Sequence, residues 1–367
     1  MSVGRLLIAT DAVGGVWTYT IELARALALQ GVQPVVAAMG PRPTEEQFAM
    51  AGNIAVIDTG LPLDWLADHP REVREAGQRL AELGVDTGAD VVQLHSGAFA
   101  CNVSFKQPVV VVQHSCVASW WDSVRGGSLP AQFEWRRDMI AGGLNRADAV
   151  VAPTAAFAEQ ISRIYDLSKP VAVVHNGRTA PPLPEGPQVE TVVTVGRLWD
   201  EGKNVRTLDK AAALLAARFE AIGPLEQEHV GAVAVRHLIP SGAASERAIA
   251  ERLSARPIFA SAALYEPFGL SVLEAALAGC PLVLSDIPTF RGLWTDAAVF
   301  VPAMDAQRFA DAIATLLNNP ELRTAYGRAA RTRAEQYAPA SMATEMLQVY
   351  EGLLQGRRTA MQVASAA

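Results

Sequence analysis

The sequence is poor in the features that mark disulfide-stapled, membrane-spanning, nucleic-acid-binding and metal-dependent proteins. Its three cysteines, Cys101, Cys116 and Cys280, are odd in number, far apart and outside any Cys-x-x-Cys spacing. That excludes a disulfide framework and a zinc site and points to a reducing cytoplasm. Basic charge is in deficit: 31 Lys and Arg against 38 Asp and Glu give a formal net charge of -7, so no nucleic-acid partner is expected, because such proteins need a basic face to neutralise phosphates. No apolar run approaches the roughly 18 residues of a membrane span, and the opening MSVGRLLIAT lacks the apolar stretch and cleavage site of a secretory signal. The chain reads as cytoplasmic and soluble, at most peripheral to a membrane.

Several chemical signatures are missing as well. No Gly-x-Gly-x-x-Gly follows the first apolar run, so a nicotinamide cofactor lacks its usual pyrophosphate turn. There is no Gly-x-Ser-x-Gly elbow, no His-Glu-x-x-His and no Asp-x-Asp pair to carry a divalent metal. The stretch GRLWDEGKN at 196–204 imitates a P-loop, but five residues rather than four separate its glycines and Asn204 stands where Ser or Thr is required. Any diphosphate bound here must be neutralised by protein groups, with no metal and no other cofactor.

What is present is globular composition, half hydrophobic and 19% charged with 28 Gly and 22 Pro, in a chain too long for one ordinary core and suited to two domains of about 150 to 200 residues. Short β-branched runs alternate with Ala/Leu-rich helical stretches, the pattern of βαβ units. Strands are expected at 5–10, 34–39, 54–58, 90–94, 109–113, 149–152 and 171–175, and after mid-chain at 190–195, 230–235, 257–260, 281–285 and 298–301. Most are continuous apolar runs, as in parallel strands buried on both faces. Between the two sets lies RTAPPLPEGPQ at 178–188, whose four prolines and glycine sustain neither helix nor central strand. It is taken as the linker between domains 1–180 and 189–340, followed by a C-terminal helix and tail at 341–367 that frays after Gly356. The fold class is α/β, with two doubly wound Rossmann-like domains.

The sharpest motif is YEPFGLSVLEAALAG at 265–279. A Pro-Phe-Gly turn opens a helix whose Leu270, Leu273 and Leu277 share one side, and such a start exposes unpaired N–H groups, placed at about Phe268 to Ser271, and the positive end of the helix dipole. Phosphate is the natural guest. Glu266 before the turn and Glu274 inside the helix would accept hydroxyl hydrogen bonds on either side of it, and two polyol-binding carboxylates around an anion site describe a sugar nucleotide.

Glu266 and Glu274, with Pro267, Phe268 and Gly269, resemble the Glu-x7-Glu motif of the retaining glycosyltransferases of family 4, the group 1 glycosyltransferases of GT-B fold. The likeness extends over most of the chain: the Gly14-Gly15-Val16 loop, VVVVQHS around His114, VVAPTAAFAEQ at 150–160, VVHNG at 173–177, VGRL at 195–198 and ALAGCPLVLSDIP at 276–288. The resemblance implies two domains facing a central cleft and transfer of a sugar from a nucleotide donor to a glycan, lipid or small-molecule acceptor, with retained anomeric configuration. It implies that Glu266 contacts the donor sugar, that Glu274 holds the ribose hydroxyls, and that Arg197 and Lys203 neutralise the departing diphosphate. One extra residue separates Arg197 from Lys203 relative to the commonest pattern, so either the loop bulges or Lys203 is displaced. His114 matches a histidine near the reacting sugar, and Gly14 and Gly15 match a loop that lets backbone approach donor and acceptor. The same resemblance implies that Phe268, Gly269 and Leu270 fall in the donor site. The segment 216–237 matches the family poorly, which leaves the base-reading pocket unassigned.

Blander readings stand beside these. The two glutamates suit the start of any solvated helix, Arg197 and Lys203 suit any surface, and His114 suits a satisfied strand-end histidine. His95 and Asp11 also sit at strand ends. Trp120, Trp121 and Trp135 with Arg125, Arg136 and Arg137 form an acceptor wall, a membrane-surface contact or ordinary packing with snorkelling arginines. A sugar-nucleotide epimerase or hydrolase on the same scaffold, or a non-catalytic sugar-binding protein, are the competing functions, and nothing in the sequence sets an oligomeric state.

Overall fold

The computed structural model describes residues 3–182, 186, 188–227 and 231–366. The chain divides into two units: Met1–Asp122 with Gly127–Gly177 and Pro339–Ala367, and Ser123–Gly126 with Arg178–Ala338. The boundary thus falls at Gly177/Arg178, and the last helix, Pro339–Ala366, groups with the first unit. That helix runs to Ala366. Met342, Met346 and Tyr350 on it are buried in the first unit's core, and the Tyr350 hydroxyl donates to Gln93 Oε1.

The first unit holds seven parallel strands: β1 (Arg5–Asp11), β2 (Gln33–Met39), β3 (Ala55–Asp58), β4 (Val91–Leu94), β5 (Val109–Val112), β6 (Ala149–Ala152) and β7 (Val171–Val173). They are ordered β3-β2-β1-β4-β5-β6-β7, and the winding direction reverses between β1 and β4. Helix Gly15–Leu29 follows β1 and ends on Gln30, with Gly31 in the left-handed conformation that stops a helix. Residues 6–10 and 91–94 are buried, as expected for central strands covered on both faces.

The second unit repeats the design. Strands β8 (Val192–Val195), β9 (Phe219–Ile222), β12 (Ile239–Pro240), β13 (Ile258–Ser261), β14 (Leu282–Ser285) and β15 (Ala298–Val301) form a parallel sheet in the order β12-β9-β8-β13-β14-β15. Side chains alternate between its faces with the strand period of two: Val193, Phe259, Leu282 and Leu284 enter one core cluster, while Val192, Ile258, Ala260 and Val283 enter the other. The strand expected at 230–235 is not one of the six. Val230 lies outside the described residues, and the next two residues form β11 (Gly231–Ala232), which pairs antiparallel with β10 (Glu226–Gln227) as a small hairpin. The sheet takes Phe219–Ile222 instead, whose Phe219, Ala221 and Ile222 are buried beside Val192–Val195. Of the expected linker, residues 183–185 and 187 lie outside the described residues.

Candidate functional site

In a doubly wound sheet a ligand sits outside the carboxyl ends of the strands where the winding reverses. For the second unit that is the gap between β8 and β13, and the two loops flanking it are 196–204 and 262–269. They are stitched together by backbone: Leu264 and Tyr265 both donate their N–H to the Gly202 carbonyl, at 2.8 and 3.3 Å. Asn204, held at a left-handed φ of 50°, donates from Nδ2 to the carbonyls of Ala262 (3.0 Å) and Ala303 (2.8 Å). The residue that spoils the P-loop pattern is therefore a brace tying three loops at the sheet's carboxyl edge.

Lys203 closes a single 3-10 turn, Glu201–Lys203, capped by Asp200, which accepts from Gly202 N at 2.8 Å. The Lys203 stem runs past Gly196, where an added Cβ would lie 3.6 Å from Lys203 Cε, and its ammonium donates to Glu266 Oε2. Both side chains are largely covered, 20% and 14% exposed, which removes the reading of Lys203 and Glu266 as loose surface charges. Arg197 behaves oppositely. It is 60% exposed, 3.6 Å from Asp200 and 5.7 Å above the Trp199 ring.

The motif helix runs Leu270–Leu277. Its N-cap is Gly269 at φ 93°, a conformation costly for a residue with a Cβ, and a Cβ there would also crowd Glu266, Phe290 and Val272 at 3.2 Å each. The cap has no side-chain hydrogen bond, so the first-turn N–H groups belong to Leu270–Val272, one to two residues later than the sequence suggests. Leu273 and Leu277 are buried, each contributing about 1.5–3 kcal/mol that pins the helix in place. Phe268 is 3% exposed and packs edge-on against Tyr337 at 5.9 Å, so it offers the site its backbone, not its ring. Leu270 is half-buried beside the same core. Glu274 Oε1 accepts from Arg178 Nε at 2.9 Å, and Arg178 Nη2 also donates to Glu246 at 2.9 Å. At 25% exposure Glu274 is not a solvated helix charge.

The corresponding reversal in the first unit is flanked by the loops after β1 and β4. Gly14 caps helix Gly15–Leu29 at φ 80°, with nothing within 4 Å of where its Cβ would be, and Asp11 Oδ1 braces the turn by accepting from Val13 N at 2.8 Å. His114, just beyond β5, lies against Tyr19 (ring centroids 4.4 Å) and His95 (4.9 Å). Gln93 faces His95 Nε2 at 2.9 Å, and because Gln93 Oε1 accepts from Tyr350 its amide nitrogen is the donor. The His95 proton is then on Nδ1. His95 Nδ1 and His114 Nε2 are buried and without hydrogen-bond partners among the described residues. The tryptophan cluster is half-buried packing: Trp121 meets Phe133 at 6.3 Å, and Arg136 lies 4.2 Å over Trp135 while donating to the Ala67 carbonyl.

Residues 13–179 match the family model described as Glycosyltransferase Family 4, and residues 181–333 match Glycosyl transferases group 1. The chain belongs to the group 1 glycosyltransferases. A phosphatidyl-myo-inositol mannosyltransferase of Mycobacterium leprae is 24% identical over 93% of this chain and 94% of its own length. Among solved structures, sucrose-phosphate synthase of Thermosynechococcus elongatus superposes with a TM-score of 0.78 at 19% identity, over 96% of this chain and all of that one. Anabaena HepE in complex with UDP-glucose gives 0.73 at 17%, over 95% and 99%. Each unit of this glycosyltransferase is one of the two doubly wound domains of the GT-B fold. Among the described residues no helix is long and apolar enough to cross a membrane.

The two histidines make the glycosyltransferase's stability pH-dependent. Burial pushes His114 down to about 3 and His95 well below the ordinary range, the His114 charge adding to the second shift. In the unfolded chain both titrate near 6.5. Their contribution is full above that value and is lost as pH falls towards 3, where the unfolded chain takes up protons that the folded unit refuses. For His114 the loss at pH 5 is about 2 kcal/mol. Denaturant unfolding at pH 7.5 and 5 should show this loss, and His114→Phe, which keeps the ring, should remove that share of it; an unchanged pH slope in the variant would contradict the assignment.

Three contributors escaped the sequence reading of this glycosyltransferase. Arg178 stands in the Pro-rich stretch 178–188, Asn204 breaks the P-loop pattern, and Tyr19 belongs to no motif. The one available signal was a basic residue directly after Asn176-Gly177, at the mouth of a strand.

Proposed function

We propose that this glycosyltransferase moves a hexosyl group from a nucleoside-diphosphate sugar to an acceptor hydroxyl, with retained anomeric configuration and without a metal ion. The observation that carries the reading is the Lys203–Glu266 ion pair at the winding reversal of the second unit, beside the Gly269-capped helix start. Helix N–H groups and the Lys203 ammonium supply positive charge for a diphosphate, Arg197 adds a mobile cation, and Glu266 and Glu274 supply acceptors for sugar and ribose hydroxyls. An ammonium has three donors, so Lys203 can serve Glu266 and a phosphate oxygen together.

No residue is an evident nucleophile, which favours a same-face displacement. The bond from the anomeric carbon to the diphosphate oxygen breaks, the bond to the acceptor oxygen forms on the same face, and the acceptor proton passes to the departing diphosphate. Charge builds on the leaving group, and fixed positive charge there is the main catalytic contribution. Gly14, Gly15 and His114 keep the acceptor and sugar roles that the family resemblance implies. A polyol headgroup such as inositol, free or lipid-linked, is the first acceptor to test, because the mannosyltransferase relative acts on one by name. The three scattered cysteines, outside any disulfide or Cys-x-x-Cys spacing, support a reducing, cytoplasmic setting.

The test is thermal unfolding with UDP, GDP, ADP and their sugar conjugates, for the wild type and Glu274→Ala. At a hundredfold excess over Kd a ligand specific for the folded state adds about 2.7 kcal/mol, which raises the midpoint by several degrees. One base should do this in the wild type and much less in the variant. If none does at saturating concentration, the donor reading fails. Release of free nucleotide and sugar without any acceptor would instead support the hydrolase alternative.

A further inference from the structure

Arg178 is 15% exposed and lies between two carboxylates of the same unit, Glu274 on the motif helix and Glu246 at the start of the helix Glu246–Ser254. Its backbone is fixed as well, Arg178 N donating to the Tyr337 carbonyl at 3.0 Å. The guanidinium is planar and its donors point in fixed directions. An Nε contact to Glu274 Oε1 and an Nη2 contact to Glu246, each 2.9 Å, therefore set the orientation of the Glu274 carboxyl group. A glutamate on a helix otherwise has three side-chain torsions to explore. Because a carboxylate offers about four lone-pair sites, an ion pair to Arg178 is compatible with acceptance of hydroxyl hydrogen bonds at the same group.

We propose that Arg178 is a positioning residue for the nucleotide ribose, acting through Glu274: it holds that carboxylate aimed so that a vicinal diol meets acceptors already in place. The inference rests on the reading of Glu274 as the ribose contact. Glu246 is the second anchor that keeps the guanidinium from following the ligand. Arg178 touches no substrate itself, so its removal weakens recognition of the two ribose hydroxyls and leaves the contacts to base and diphosphate alone.

That selectivity separates positioning from mere structural support. Kd is measured by calorimetry for UDP, GDP and ADP and for their 2′,3′-dideoxy forms, on the full chain. The wild type should prefer the ribose form by roughly tenfold or more, as sites built around substrate hydroxyls do. Arg178→Ala should bring this preference close to unity while the dideoxy Kd stays within about twofold, and Arg178→Lys, which can reach Glu274 but not both acids, should restore part of it. Glu246→Gln should keep most of the preference. Equal weakening of both nucleotide forms in Arg178→Ala, or in Arg178→Lys should the alanine variant not fold, would overturn the proposal. Glu274→Ala isolates the underlying reading: loss of preference there with none in the Arg178 variants sinks this inference alone. An unchanged preference in Glu274→Ala, or no binding of any diphosphate, sinks the ribose assignment and the inference with it.

Discussion

Lys203→Ala is expected to lower sugar transfer by about 10²–10³-fold, a loss of the size seen when one fixed donor to a developing negative charge is removed. The effect should fall mainly on turnover, because charge on the diphosphate grows as the anomeric bond breaks and the ammonium is worth most at that point. Stability is the complication. Removing the cation leaves Glu266, only 14% exposed, as a carboxylate without its ion-pair partner, and an uncompensated charge of this kind costs on the order of a few kcal/mol. The double variant Lys203→Ala/Glu266→Gln neutralises both sides and should recover most of the stability while recovering none of the transfer. Steady-state release of nucleoside diphosphate, with the donor identified by the unfolding panel, supplies the rate, and denaturant melts supply the stability. Transfer within threefold of wild type in Lys203→Ala would hand the role to Arg197, which at 60% exposure has the freedom to swing but not the fixed geometry.

The βαβ alternation was legible because buried parallel strands are continuous apolar runs, and 109–112 or 282–285 can hardly be anything else. The motif helix was legible for a similar local reason: a Pro-Phe-Gly turn before Leu270, Leu273 and Leu277 states where a helix begins and which side it buries. What stayed hidden depends on distant partners. Phe219–Ile222 became a strand because it lies along Val192–Val195, whereas the Val-rich 230–235 drew the eye on local propensity alone. The turn that carries Lys203 depends on the Asp200 side chain accepting from Gly202 N, a contact that the spacing from Arg197 does not state. Arg178 was invisible for the same reason: its role is defined by Glu274, 96 positions away, and a Pro-rich surround reads as linker whatever a single side chain does. The histidine pair, too, is made by packing. Only the fold brings Tyr19, His95 and His114 to one place.

Glu266→Gln should separate binding from chemistry in a direction that simple damage does not produce. In the wild type the Lys203 ammonium is paired with Glu266, so a nucleoside diphosphate arriving at the Gly269-capped helix start meets a cation whose charge is already partly offset, and that carboxylate's negative charge as well. Glutamine keeps the shape and a hydrogen-bond acceptor but removes the charge. The released ammonium and the weaker repulsion should both favour the bare nucleoside diphosphate, tightening its Kd by about tenfold if roughly 1.4 kcal/mol of the pair's interaction is recovered. Transfer should move the other way, by about 10²-fold or more, because the sugar loses a charged acceptor that matters most as positive character develops at the anomeric carbon. Calorimetry with the bare diphosphate and initial rates with its sugar conjugate give the two signs independently. Weaker diphosphate binding together with slower transfer would mean that Glu266 supports the loop rather than opposing the phosphate. Unchanged transfer would remove Glu266 from the chemistry and leave Lys203 with no substrate-facing partner to regulate it.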